Sequence, residues 1–285
     1  MAQELESAPG LTPLYARAVL WAAIPGGRDG ELPDRRLDLR EVEVDLDHLA
    51  HYDRVCGFRV SDELPPTYPH VLAFPLAMAI MSDRSFPLPL PGLVHVSNRI
   101  DQRRPLHASE RPTVRAWAQD LRPHPKGRQF DLVAEAEAGG EVAWSSRSTY
   151  LRRGGGGDGE REREPEPPGE DHVSATWRVP GDVGRRYAAV SGDRNPIHLN
   201  GLAARALGVK GPIAHGMWMK ARCLAALEGR IPDAARAEVH FKTPLRIPAQ
   251  ARFASRATQD GGWTFALLGT DPERPHLVGA VEPRS

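Results

Sequence analysis

Apolar positions along the chain fall into two kinds of pattern. Val71–Met81, VLAFPLAMAIM, is an unbroken apolar run of 11 residues. Within it, Phe74–Met81 predicts a helix that is apolar on every side, as expected where the rest of a fold encloses it. A second helix is predicted over Gly216–Leu227, with Met217, Ala221 and Leu224 on one face and Lys220 and Arg222 on a wetter side. Elsewhere the period is two. Phe130–Ala138 and Glu141–Leu151, joined by Gly139-Gly140, predict a hairpin closed by a primed turn, and Gly261-Gly262 marks a similar turn near the end of the chain.

These elements recur in the same order. Tyr52, a loop, the helix at Phe74–Met81 and a strand-rich tail are followed by Tyr187, a loop, the helix at Gly216–Leu227 and a second strand-rich tail. Leu93–Thr113 and Glu238–Arg252 share an opening strand, a basic-proline corner and a second strand. This is a weak internal repeat. Each copy predicts one central helix with three or more antiparallel strands, an α+β arrangement whose two sheets could pair edge to edge and so cover exposed strand edges. Between the copies lies Arg152–Asp171, RRGGGGDGEREREPEPPGED, with almost nothing apolar to bury. Such a segment is expected to be a flexible linker dividing the chain into residues 1–151 and 172–285. Its four glycines lack the strand-to-helix setting and following Lys-Ser/Thr of a phosphate loop.

Composition narrows the function. The 285 residues carry 37 basic and 37 acidic side chains, a balance that argues against a nucleic-acid partner, which selects for a basic excess. The longest apolar run falls well short of the ~20 residues that a membrane span requires. The N-terminus, MAQELESAPG, is acidic where a signal peptide is basic. Cys56 and Cys223 form no CxxC pair, so a disulfide scaffold and a cysteine zinc site are not expected, and a reducing cytoplasm is the default. No His/Asp/Glu spacing points to a metal, and no glycine-rich fingerprint points to a nucleotide cofactor.

The chemistry-bearing stretch is Tyr187–Leu227. Its core, SGDRNPIH (Ser191–His198), sets Gly192 and Pro196 around Asp193 and Asn195, the composition of a tight irregular turn. Such a turn can aim Asp193 and His198, five positions apart, into one pocket, which neither a helix nor a strand does at that spacing. Asn200 is placed to cap a short helix, Gly201–Leu207, closed by Gly208. Seventeen residues after His198, His215-Gly216 opens the second predicted helix.

Gly-Asp-x-Asn-Pro-x-His followed by His-Gly at a helix head resembles the hydratase motif of MaoC-like proteins, the (R)-specific enoyl-CoA hydratases and 3-hydroxyacyl-thioester dehydratases. The resemblance is specific over about 40 residues of the second copy and implies a double hot dog, two central helices each wrapped by a curved antiparallel sheet. It also implies that Asp193 and His198 are the catalytic pair, sharing one water. In the dehydration direction His198 would take the α-proton and Asp193 would protonate the departing hydroxyl. The Gly216 N–H is the candidate oxyanion donor at the helix N-terminus, and Asn195, Tyr187 and His215 are candidate supports. Lys242 and Arg246 could meet carrier phosphates. No cofactor is expected beyond coenzyme A or an acyl carrier protein arm as part of the substrate. The first copy lacks the motif: its loop is shorter by six to eight residues, and Phe74-Pro75 is expected to stand where His215-Gly216 does, the proline lacking the needed N–H. That half is expected to shape the acyl pocket. One site per chain follows, in a pseudo-dimer, with association into a homodimer left open. Thioester hydrolysis and non-catalytic acyl-thioester binding are the competing functions.

Overall fold

The structure is a computed structural model that describes residues 2–22, 30–159, 163–206 and 210–284. The first half contributes β1 (Ala2–Leu5), α1 (Leu11–Ala22), β2 (Arg36–Leu39), α2 (Leu46–Cys56), α3 (Tyr68–Met81), β3 (Leu93–Gln102), β4 (Thr113–His124), β5 (Gly127–Ala138) and β6 (Glu141–Arg153). The second contributes β7 (Val173–Val179), α4 (Val183–Ser191), α5 (Pro196–Leu199), α6 (Gly201–Ala206), α7 (Gly216–Ala226), β8 (Ala235–Phe241), β9 (Ala249–Ala257), β10 (Trp263–Leu268) and β11 (Leu277–Pro283).

All the strands join one sheet in the order β1-β2-β4-β5-β6-β3-β8-β11-β10-β9-β7. Read outward from its middle, β3-β6-β5-β4-β2 matches β8-β11-β10-β9-β7 strand for strand, and α2 and α3 match α4 and α7. Among the described elements, β1 and α1 are extra in the first half, and α5 and α6 in the second. The halves meet where β3 runs antiparallel to β8, from Ser97↔His240 to Gln102↔Ala235. The β5–β6 hairpin turns on Gly139 and Gly140, whose φ values of 63° and 83° are those a primed turn needs.

The central helices sit inside the curve of the sheet. In α3, Leu76 and Ile80 are fully buried and every position but Leu72 and Pro75 is enclosed. One core cluster spans both halves, with Tyr52 and Leu49 alongside Tyr187 and Leu224; a second, around Phe74, Met78, Phe86 and Phe130, belongs to the first half.

Two local expectations need correction. Lys220 does not lie on a wet side of α7: it is 0% exposed. Its ammonium reaches across the seam between the halves to Asn98 Oδ1 at 2.5 Å, Asn98 O at 3.1 Å and Ala237 O at 2.8 Å. Burial draws its pKa well below the ordinary lysine value, and the three acceptors, with the charges of Glu238 and Asp101, oppose that. Phe74-Pro75 does not open the first central helix either, because α3 starts at Tyr68 and carries Pro75 in its interior.

Within the expected linker, Arg152 and Arg153 extend β6, Glu164 pairs with Lys242, and Glu170 pairs with Arg252. Residues 160–162 of it, and Leu207 and Gly208 at the end of the predicted short helix, lie outside the described residues.

Candidate active site

The site is built from one irregular connection. α4 stops at Gly192, whose φ of +74° is cheap only for glycine and whose N–H returns to Ala188 O. The Asp193 carboxylate then folds back to accept the Asn195 N–H at 3.1 Å, an Asx turn. Asn195 caps α5 through its side chain, which accepts from Ile197 N, and Pro196 supplies the preset first helical position. Two residues later the helix has delivered His198. The chain passes through α6, capped by Asn200 Oδ1 accepting from Leu202 N at 2.7 Å. It returns at Ile213, whose N–H donates to Ile197 O at 3.1 Å. Close approach of α5 to α4 depends on Gly184, where a Cβ would stand 2.1 Å from His198 O.

Three side chains converge: one nitrogen or oxygen from each of Asp193, His198 and His215 lies within 4.8 Å of the others. His198 Nδ1 meets Ile213 O at 2.8 Å. A carbonyl only accepts, so that nitrogen carries the proton and Nε2 keeps its lone pair. His215 Nε2 likewise donates to Asp193 O at 2.9 Å. The His215 ring stacks on His198 with centroids 3.7 Å apart and leans, tilted by 53°, against Tyr187 at 5.0 Å, so Tyr187 supports His215 from the other side.

The charges follow from these contacts. Burial alone would raise the Asp193 carboxyl, but the two imidazoles, the Asn195 N–H and the Tyr15 hydroxyl outweigh it and hold the group below the usual carboxylate value. Burial draws His198 below its ordinary value against the opposing pull of Asp193. Burial and the neighbouring His198 push His215 down to about 3. At neutral pH the site therefore holds one carboxylate and two neutral imidazoles. The Asp193 side chain is 32% exposed and His215 only 2%, so the acid reaches solvent and His215 is enclosed behind it.

Gly216 heads α7, with His215 as the residue before it and Met219 N closing the first turn onto His215 O. The Gly216 amide therefore points out of the helix end, in the positive field of its dipole. A Cβ here would come within 3.0 Å of the Phe241 ring. Lys242, just beyond Phe241, is engaged with Glu164 at 2.6 Å, whereas Arg246 is exposed beside the bridge it forms to Ile213.

The first half repeats the scaffold without the chemistry. Gly57 ends α2 in the same left-handed conformation as Gly192, φ +86°, which puts Phe58 where the second half has Asp193. Leu64 N donates to Leu106 O at 2.7 Å as Ala214 N does to Leu245 O at 2.8 Å. That pairing puts Pro65-Pro66, not Phe74-Pro75, opposite His215-Gly216. Proline still removes the N–H, but different prolines do it. Only seven steps separate Gly57 from Leu64 against 22 from Gly192 to Ala214, a larger deficit than the sequence suggests.

One member of the site carries no sequence signal. Tyr15 on α1, 178 positions from Asp193, places its hydroxyl 3.2 Å from Asp193 Oδ1. A lone tyrosine in an amphipathic N-terminal helix has nothing to mark it, and only the tertiary fold brings it here.

The MaoC like domain family matches residues 162–267, the half that holds this turn. The 3-hydroxyacyl-thioester dehydratase X of Mycobacterium tuberculosis is 37% identical over 256 residues, covering 89% of this chain and 91% of that protein. The chain belongs to the MaoC-like dehydratase family. The crystal structure of HtdX from M. tuberculosis, 36% identical, superposes with a TM-score of 0.78 over 88% of this chain and 100% of its own. A MaoC-like dehydratase from Phytophthora capsici reaches a TM-score of 0.72 over 89% of this chain and 96% of its own at 17% identity, which speaks to fold alone. That fold is the MaoC-like double hot dog, each central helix wrapped by its half of the sheet.

Proposed function

We propose that the protein is a hydro-lyase that interconverts trans-2-enoyl thioesters and (3R)-3-hydroxyacyl thioesters. The observation that carries this reading is the pairing of an anionic Asp193 with an unprotonated His198 Nε2 beside the head of α7. In dehydration, His198 Nε2 takes the α-proton as the Cα–H bond breaks, and the enolate charge on the thioester oxygen settles against the Gly216 N–H. The C3–O bond then breaks as C2=C3 forms. Because resting Asp193 is an anion, the proton it delivers to the departing hydroxyl is the one His198 has gathered. Water leaves, and both groups return to their starting states. Hydration is the same path reversed. Asn195 and Tyr187 hold the turn, and His215 fixes the Asp193 backbone.

The second half thus supplies catalysis, and we assign the acyl pocket to the first. An aromatic row supports this: Phe241 lies on His95 at 4.9 Å, His95 on Tyr150 at 4.6 Å, and Tyr150 on Phe130 at 5.6 Å. It leads from Gly216 into the first-half core. The carrier, coenzyme A or an acyl carrier protein arm, arrives as substrate, and Arg246 is better placed than the engaged Lys242 to meet its phosphate. The pseudo-dimer in one chain completes one site without a second copy. No described helix is long and apolar enough to cross a membrane, and the free, buried thiols Cys56 and Cys223 fit a reducing cytoplasm.

No metal enters this scheme, although the three side chains are close enough to invite one. One nitrogen of each imidazole is bonded to a carbonyl, and the scheme uses the free His198 Nε2 as the base. Dialysis against EDTA is expected to leave turnover unchanged; loss restored by a divalent ion would refute that. The reaction itself is tested with crotonyl-CoA, by following enoyl absorbance, thiol release and product stereochemistry. A (3R)-hydroxy product without free thiol is expected, whereas thiol release without hydration would make the protein a thioesterase, and binding without turnover would make it a non-catalytic carrier.

A further inference from the structure

We propose that Tyr15, carried into the site from the first half by α1, is a positioning residue that fixes which oxygen of Asp193 exchanges the proton. This rests on the hydratase reading above. The Tyr15 hydroxyl has a single proton, shared between Asp193 Oδ1 at 3.2 Å and Gly192 O at 3.3 Å, and it accepts the Arg194 N–H at 2.8 Å. The Asn195 N–H reaches the same Oδ1 at 3.1 Å. One carboxylate oxygen therefore holds two donors. The other, Oδ2, accepts no hydrogen bond among the described residues; His215 Nε2 stands 3.9 Å away, and that nitrogen is already bonded to Asp193 O. The two oxygens are chemically unequal, and Oδ2 is left to exchange protons.

The placement of α1 supports a dedicated role. Its first turn presses Leu11 onto Gly192, where a Cβ would stand 2.3 Å from the leucine methyl. Farther along, Arg17 grips the end of α3 through Ala79 O at 3.1 Å and Ser82 Oγ at 2.9 Å. The helix is thus clamped to the catalytic turn at one end and to the first-half core at the other. The Tyr15 ring packs among apolar neighbours that phenylalanine would satisfy equally well; only the hydroxyl has polar work to do. Burial, reinforced by the Asp193 charge, raises its pKa, so it stays a donor across the working range.

The test uses the full chain and pH–rate profiles for crotonyl-CoA hydration with the wild type, Tyr15→Phe and Leu14→Ala. Leu14 is a buried neighbour on α1 with no polar contact to the turn, so its truncation loosens the helix without touching the carboxylate. Tyr15→Phe is expected to lower kcat about tenfold, one hydrogen bond to a charged group, with KM within about twofold. The carboxylate step of its acid limb, the one that Asp193 sets below the His198 step, should move up by roughly one pH unit, because a carboxylate deprived of a donor protonates more readily. Leu14→Ala should lower the thermal midpoint and leave the acid limb in place. Wild-type kcat and an unmoved limb in Tyr15→Phe would overturn the proposal, as would a raised KM at unchanged kcat, which would make Tyr15 a substrate contact. If Tyr15→Phe is also less stable, the limb decides: displaced supports the role, unmoved refutes it. Failure of the hydratase reading is separate, since it would appear as a wild type that does not hydrate or an Asp193→Asn variant that still does.

Discussion

At the scale of single residues, the proposed mechanism asks different things of Asp193 and His198 before a turnover begins. Asp193 must be charged and His198 neutral, and the environment sets both: donors hold the carboxyl down, and burial holds the imidazole down. Asp193→Asn and His198→Ala are each expected to cost about 10²–10⁴ in kcat, with a thermal midpoint near that of the wild type. Because both groups titrate below their ordinary values, activity should be flat through neutrality and fall on the acid side in two steps, one for His198 below about pH 6.5 and one for Asp193 below about pH 4. A kcat/KM profile that falls with rising pH near neutrality would contradict this. The pair was legible because it lies within six consecutive residues, Asp193 to His198. Tyr15 was not, since its relevance depends on a tertiary contact that no local pattern encodes.

At the scale of elements, the head of α7 and its counterpart in the first half carry the asymmetry. Gly216 is confined by the Phe241 ring. Gly216→Ala should therefore shift either the helix head or the ring, and a displacement of order 1 Å at a catalytic group costs up to about 100-fold in rate. Phe241→Leu in the Gly216→Ala background should recover part of that loss in kcat; if no recovery is measured, the ring is not the obstacle. Element order, the hairpin turns and the capped α5 turn could be read from apolar period and turn residues. The head of α3 could not. An apolar run cannot say where its helix begins, and Pro75 looks like a boundary although tertiary enclosure carries the helix through it. Lys220 was misread for a related reason: helical period identifies a polar residue but not the acceptors waiting across a seam.

For the whole molecule, the seam between β3 and β8 turns two half-sheets into one, and Lys220 is its polar rivet. Lys220→Met leaves Asn98 Oδ1 and two carbonyls short of a donor, so unfolding in urea should occur at lower denaturant, by about 2–4 kcal/mol. One transition is expected rather than two, because a single apolar cluster crosses the seam. An unchanged midpoint would mean that the ammonium contributes no net stability. The repeat was visible in the sequence, but its completeness was not, as the halves share scaffold hydrogen bonds rather than residue identities. The reach of α1 carries a further consequence. Helix α1 has to wait for a turn made almost 180 residues later in the chain, so the Asp193 carboxylate gains its full set of donors only after the second half has folded against the first.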